Sequence, residues 1–166
     1  MNLKELEKKY EELGKEIELL KKFQSIENDP IFLLSEEEYE EYKDRMPQIN
    51  CWWWLRSPGL DSNDAASVRN NGSADLVGSY VRSTSNGVRP ALRISNLGLE
   101  VRAEIRFYEN YLVFNGVTWT KIDDDLYITE VPIAFRRFDG KSEDYENSEI
   151  RKFLLEWFED RQRLNK

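Results

Sequence analysis

The chain of 166 residues has no histidine and one cysteine, Cys51. This excludes Ser-His-Asp and Cys-His nucleophilic sites and any His-ligated metal. A single cysteine allows neither an internal disulfide nor a Cys-rich zinc site. Cys51 precedes Trp52, Trp53 and Trp54, a setting that suits a buried apolar residue better than a nucleophile. Carboxylates are plentiful, and glycoside hydrolysis uses a pair of them, but no spacing here singles out a pair. Asp123, Asp124 and Asp125 read as a solvated turn, because an EF-hand loop needs alternating ligands and a distant Glu. The expectation is no catalytic residue, no metal, no cofactor and no enzyme. Two cations in apolar motifs, Arg56 and Arg89, are either ligand contacts or structural forks that tie carbonyls and carboxylates. The three tryptophans are either a stacking platform or core.

The net charge of −8 is unevenly placed. Residues 1–50 hold 8 basic and 14 acidic residues, residues 51–93 hold 5 and 3, and residues 94–166 hold 11 and 15. An acidic chain without a long basic stripe is a poor nucleic-acid binder. No run approaches the roughly 18 apolar residues that span a bilayer, and the start shows no apolar signal-peptide core. The expectation is synthesis in the cytoplasm, no membrane insertion and no nucleic-acid partner.

These side chains must be positioned by a mixture of helices and strands. Leu3, Leu6, Tyr10, Leu13, Ile17 and Leu20 follow a 3-4 spacing that predicts a heptad helix over residues 3–22. Its seam either lies on the chain's own domain or self-associates, and the charge density of its other faces favours the second. With Ile at a and Leu at d, a dimer is favoured, while the large Tyr10 weakens that rule. The expected partner is another copy, as trimer or dimer, through residues 3–20. Residues 25–30 read as a helix stop, Ile31 to Leu34 as a buried strand, and Ser35 with Glu38 as a capping box opening a short helix to about Arg45.

Trp52 to Trp54 begin strand-and-turn territory. Residues 61–87 hold 6 Ser and 4 Asn, with Asn71-Gly72 as a hairpin turn. Val68, Leu76, Val77 and Val81 are the expected apolar anchors. Gly87 to Ile94 reads as a strand, with Pro90 at an edge or a strand start. Val101, Ala103, Ile105 and Phe107 suggest another strand. Asn115-Gly116 predicts a hairpin, Val117–Ile122 should meet Leu126–Ile128, and residues 131–138 look strand-like. Asn147 is the expected cap of a last helix whose inner face is Ile150, Phe153, Leu154, Trp157 and Phe158. Arg161, Arg163 and Lys166 suit its C-terminal dipole.

Three ordered motifs carry a resemblance: residues 53–59 (Trp-Trp-Leu-Arg-Ser-Pro-Gly), Ala65–Val68 with Asn71-Gly72, and residues 87–92 (Gly-Val-Arg-Pro-Ala-Leu). Together with residues 29–35 they look like an uncharacterised family of C-type-lectin-fold domains from gut bacteria and their phages. Several members resemble the variable proteins of diversity-generating retroelements. Residues 115–128, 138–139 and 145–154 resemble that family's N-terminal half, yet here they follow the Gly-Val-Arg-Pro-Ala-Leu motif. The resemblance therefore implies an α+β, circularly permuted C-type lectin-like fold. It divides the chain into a helix at 1–28 and a domain at 29–166, with a junction at about 95–114. The 87–94 strand should meet the 117–122 strand directly or through a 99–114 hairpin.

The resemblance implies a ligand-binding module. Its polar segment at 61–86 has the Asn, Ser, Asp and Arg crowding that adenine-directed diversification leaves, although an ordinary polar loop has the same composition. The candidate face is Asp61, Asn63, Asp64, Arg69, Asn70, Ser73, Asp75, Tyr80, Arg82, Thr84 and Asn86. Its expected ligand is a protein or a surface glycan, in a phage receptor-binding part or a bacterial variable protein, with virion association in the first case. The alternative is a structural or assembly protein with no diversified site. Calcium-dependent sugar binding is not expected, because Glu-Pro-Asn, Gln-Pro-Asp and Trp-Asn-Asp are all missing. Formylglycine-generating chemistry needs two cysteines and is not expected either.

Overall fold

Successive residues of a strand point to opposite faces, and in several strands of this chain both faces are apolar. A sheet built from them must be covered on both sides. The computed structural model describes residues 2–164, without the side chains of 18–25 and 162–164, and it has this arrangement. Leu20, Arg163 and Lys166 therefore contribute no side-chain observation.

The elements run α1 (Leu3–Glu27), β1 (Ile31–Phe32), α2 (Glu36–Tyr42), β2 (Trp53–Pro58), β3 (Asp64–Val68), β4 (Ala74–Tyr80), β5 (Gly87–Val88) and β6 (Ala91–Arg93). They continue as α3 (Leu99–Arg102), β7 (Arg106–Phe107), β8 (Tyr111–Phe114), β9 (Val117–Asp123), β10 (Leu126–Thr129), β11 (Ala134–Phe135) and α4 (Glu149–Leu164). One sheet has the order β1-β6-β10-β9-β8-β7, and the other β11-β5-β2-β3-β4. The architecture is mixed α+β, with two sheets and an N-terminal helix.

Strand alternation sorts the core into two clusters. Ile31, Trp54, Leu92, Trp119 and Tyr127 join Ile150, Leu154 and Phe158 of α4 on one side. Phe32, Trp53, Ala91, Leu126 and Ile128 join Tyr39 of α2 and Met46 on the other. Both clusters mix residues from before and after position 95. Trp53 and Trp54 are core, whereas Trp52 is half-buried ahead of the strand.

Local chemistry fixes the element ends. Asn2 Oδ1 accepts from Glu5 N at 2.9 Å while Asn2 N donates to Glu5 at 3.2 Å, so α1 opens on a reciprocal box. Ser35 and Glu38 form the expected capping box of α2. Asn115 (φ 52) and Gly116 (φ 72) make the two left-handed turn residues between β8 and β9, as a type I′ hairpin requires. The α1 helix runs to Glu27 rather than stopping at 22.

Several expectations are corrected. Residues 99–105 are not a strand: Leu99–Arg102 is a short helix followed by a turn, with Leu97, Val101 and Ile105 buried at spacings of four, and Phe107 is exposed. Residues 87–94 do not form one strand. The chain leaves the second sheet after Val88 and enters the first at Ala91, because Pro90 cannot donate to a ladder. The 87–94 and 117–122 regions are joined through β10, which pairs with both β6 and β9. The β7–β8 hairpin lies on the far side of β9. Of residues 131–138, only Ala134–Phe135 is strand. Ser148, not Asn147, caps α4, its Oγ accepting from Arg151 N at 3.1 Å. Leu3, Leu6, Tyr10, Leu13 and Ile17 are all exposed, so over these positions the seam does not dock on the body.

Candidate functional site

The β3–β4 hairpin carries most of the candidate face, and its register explains the distribution. Asp64 pairs with Tyr80, Ala65 with Ser79, Ser67 with Asp75 and Val68 with Ala74. Between the second and third of these pairs β4 has three residues, Leu76, Val77 and Gly78, where β3 has only Ala66. This is a bulge, which bends a strand and re-aims its side chains. Gly78 takes φ +97, and an added Cβ would sit 2.7 Å from Ala65 O. Gly59 is equally confined, since its Cβ would meet Val77 O at 2.5 Å. Asp75 Oδ1 accepts from Gly78 N at 3.1 Å and holds the bulge. The bulge turns Leu76 and Val77 outward (48% and 59% exposed). They are not the anchors that composition suggested, whereas Val68 and Val81 are buried as expected.

The eleven candidate residues fall into two groups with one exception. Asp61, Asn63, Asp64, Tyr80, Arg82 and Thr84 lie at one end, where Val81 N donates to Asn63 O at 2.9 Å and Leu60 N to Val77 O at 2.9 Å. Arg69, Asn70, Ser73 and Asp75 lie at the hairpin tip, about five residues along β3, or roughly 17 Å away. Asp61, Asn63, Asn70, Ser73, Tyr80, Arg82 and Thr84 are exposed, and Asp64, Arg69 and Asp75 are half-buried. Asn86 contradicts the expectation. It is 4% exposed, because its backbone continues the β5–β11 ladder, accepting from Arg136 N at 3.2 Å, and its side chain turns inward. Asn86 therefore belongs to the frame, and the other ten lie toward the two ends of the hairpin.

The half-buried members are structural at the tip. Arg69 is 3.3 Å from Asp75, bonds Ser73 Oγ at 3.1 Å and lies 5.9 Å over the Trp52 ring. The residues missed by sequence reasoning are Leu60, Leu76 and Val77, which with Tyr80 form an exposed apolar group beside the first polar group. The available signal was Gly78 inside a strand pattern, a mark of a bulge.

The two arginines singled out above are both structural. Arg56 donates to Leu33 O at 2.8 Å, pairs with Glu38 and lies over Phe32. Arg93 approaches Glu38 from a second direction at 3.6 Å. Arg89 is almost fully buried, donating from Nε to Thr129 O and from Nη2 to Pro47 O, each at 2.8 Å. Burial lowers its pKa to about 10. Burial also raises the Cys51 thiol, against a smaller opposing effect of Arg89, so Cys51 is no activated thiolate. In the Asp triplet, Asp123 accepts the Tyr42 hydroxyl at 2.8 Å, which pushes Tyr42 up to about 12. Asp125 accepts Ser95 N at 2.8 Å. Among the described residues no group of three or more acidic or cysteine side chains could hold a metal, and no helix is long and apolar enough to cross a membrane.

Fold and site together define a two-sheet α+β domain with an N-terminal helix and a bulged, exposed hairpin. The chain belongs to the family described as Domain of unknown function (DUF6273), whose model matches residues 4–96. No curated protein and no solved structure matches it.

Proposed function

We propose that this chain is a ligand-binding module that presents the outer end of the β3–β4 hairpin and its flanking loops to a protein or surface-glycan ligand. The observation that carries this reading is the separation of frame from face. Ala65, Ala66, Ser67, Val68 and Val81 are fully buried, while Asp61, Asn63, Tyr80, Arg82 and Thr84, interleaved or adjacent in sequence, are exposed. A rigid frame with exchangeable polar and aromatic positions is how adaptable paratopes work. The exposed Leu60, Leu76, Val77 and Tyr80 add apolar area to that end. The reading involves no catalysis, metal, cofactor or nucleic acid.

The finer fold in this reading is a permuted C-type lectin-like domain. Two facts support it: β6 lies beside β10 in one sheet, and residues 53–88 make an excursion into a second sheet. Diversification by a retroelement, in a phage part or a bacterial variable protein, accounts for the composition of 61–84. Sequencing this locus from many isolates tests it. The reading expects substitutions confined to exposed codons, a near-copy of the segment encoding 51–93 and a neighbouring reverse transcriptase. An invariant segment without a template copy rejects diversification.

Self-association through α1 completes the reading, as trimer or dimer. The exposed seam at Leu3, Leu6, Tyr10, Leu13 and Ile17 supports it, and joining several weak faces would raise avidity by about 10²–10⁴. The same seam also favours a second reading, an assembly protein whose domain only packs. Light scattering on the whole chain and on a chain starting at Asn28 tests the seam: a monomeric whole chain at tens of micromolar rejects it.

A further inference from the structure

β4 is the outer strand of its sheet. An outer strand with free N–H and C=O groups is open to pairing with another chain. Here the bulge takes that option away over the middle of the strand. Val77 O accepts from Leu60 N at 2.9 Å, and Gly78 N donates to Asp75 Oδ1 at 3.1 Å. The stretch is also locked in shape, since a Cβ on Gly59 or Gly78 would press on backbone oxygens. A partner at this point meets side chains rather than a free ladder.

Those side chains are mostly aliphatic. Leu60 is 75% exposed, and Leu76, Val77 and Tyr80 are each exposed over about half their surface. A Cβ on Gly59 would lie 2.5 Å from Val77 O and 2.8 Å from Asp64 O, and Tyr80 is paired opposite Asp64. The backbones that carry Leu60, Val77 and Tyr80 therefore converge. An exposed apolar group with a polar rim is the mark of a protein contact. A pyranose, by contrast, is held by ring faces and hydrogen-bonding groups. Three of these four side chains offer neither. The rim is acidic. Asp61 and Asp64 make no ion pair among the described residues. Glu143 is drawn to the same loop by its N–H, which donates to Ser62 O at 3.1 Å. Arg82 adds one exposed cation, which these three carboxylates outweigh.

We infer that the ligand of this end is a protein, one with an apolar recess ringed by lysines or arginines. Leu60 and Val77 enter the recess, and the acidic rim steers the approach and sets the orientation. The inference rests on the binding-module reading and chooses protein over glycan within it.

The test pans a displayed library of random cyclic peptides on the whole chain, and probes the same protein on an array of surface glycans. The expected peptides carry an aliphatic or aromatic run flanked by Lys or Arg. Leu60→Ser and Val77→Ser should each weaken peptide binding about 5- to 30-fold. Phe107→Ser, at an exposed apolar position of β7 in the other sheet, should leave it unchanged. Added sodium chloride should weaken binding, because exposed charges are screened, and Asp61→Asn should flatten that salt dependence. The Tm of each variant should stay close to that of the parent, as at exposed positions. An empty selection, peptides that bind Leu60→Ser and Val77→Ser as well as the parent, or an acidic consensus overturns the inference. If the array instead shows a glycan whose binding is lost in Tyr80→Ala and Arg82→Ala, the binding-module reading stands and this inference falls. If neither peptide nor glycan binds, both fall.

Discussion

A buried ion pair reinforces the apolar joint between the N-terminal segment and α4, and breaking it should be costly. Arg151 grips Asp29 with two parallel hydrogen bonds, Nε to Oδ2 at 2.8 Å and Nη2 to Oδ1 at 2.9 Å. The two side chains are 16% and 6% exposed. Arg151 Nη1 also donates to Glu146 O at 2.9 Å. The fork-to-fork geometry is the strong form of this contact. Arg151→Met keeps the apolar stem and removes the guanidinium, which strands a buried carboxylate. Removing one partner of such a pair costs about 3–5 kcal/mol. For a chain of this size that is a fall in Tm of about 6–20 °C. The assay is urea unfolding of the single variants Arg151→Met and Asp29→Leu and of the double variant. The double variant should be less destabilised than the two single effects combined, with a coupling of about 1–3 kcal/mol, because it leaves no unpaired charge. A cost below about 1 kcal/mol for Arg151→Met, or strict additivity, would refute the reasoning.

Gly78→Ala should destabilise by about 1–3 kcal/mol, because alanine is strained at φ +97 and its Cβ would press on Ala65 O; a neutral result in thermal unfolding would mean that the bulge is soft. Asp139 supplies a pH test. Burial pulls its pKa up, but the amides of Ser142, Lys141 and Glu149 outweigh this and hold it below the ordinary carboxylate range. A lowered folded-state pKa gives stability that is present above the ordinary value of about 3.9 and lost as pH falls through the folded value. Asp139→Asn should therefore be less stable than the parent at pH 7 in urea, and the gap should close in acid; a gap independent of pH contradicts this.

Much of this fold was legible where local chemistry dominates. Ser35 with Glu38, Asn71-Gly72 and Asn115-Gly116 each carry their own geometry, and all three appear as expected. Failures occurred where a tertiary partner decides. Val101 and Ile105 fit a period of two as well as the spacing of four to Leu97 that their burial follows. Pro90 signals a break, but no local rule says that the chain changes sheets there. Leu76 and Val77 look like anchors until the bulge at Gly78 turns them out. Asn86 is polar, and only its place on the β5–β11 ladder buries it. The exposure of most of the candidate residues was thus legible in outline, while their distribution along the hairpin depends on a register that composition does not encode.

The central claim, that the face is separable from the frame, is tested most directly by a saturation scan of residues 60–86 on a display platform that reads protease resistance. The account predicts that Asp61, Asn63, Asn70, Ser73, Tyr80, Arg82 and Thr84 accept nearly every residue, as exposed positions usually do. Ala65, Ala66, Val68, Gly78, Val81 and Asn86 should accept few. Intolerance at the exposed set equal to that of the buried set would make this segment framework throughout and contradict the account.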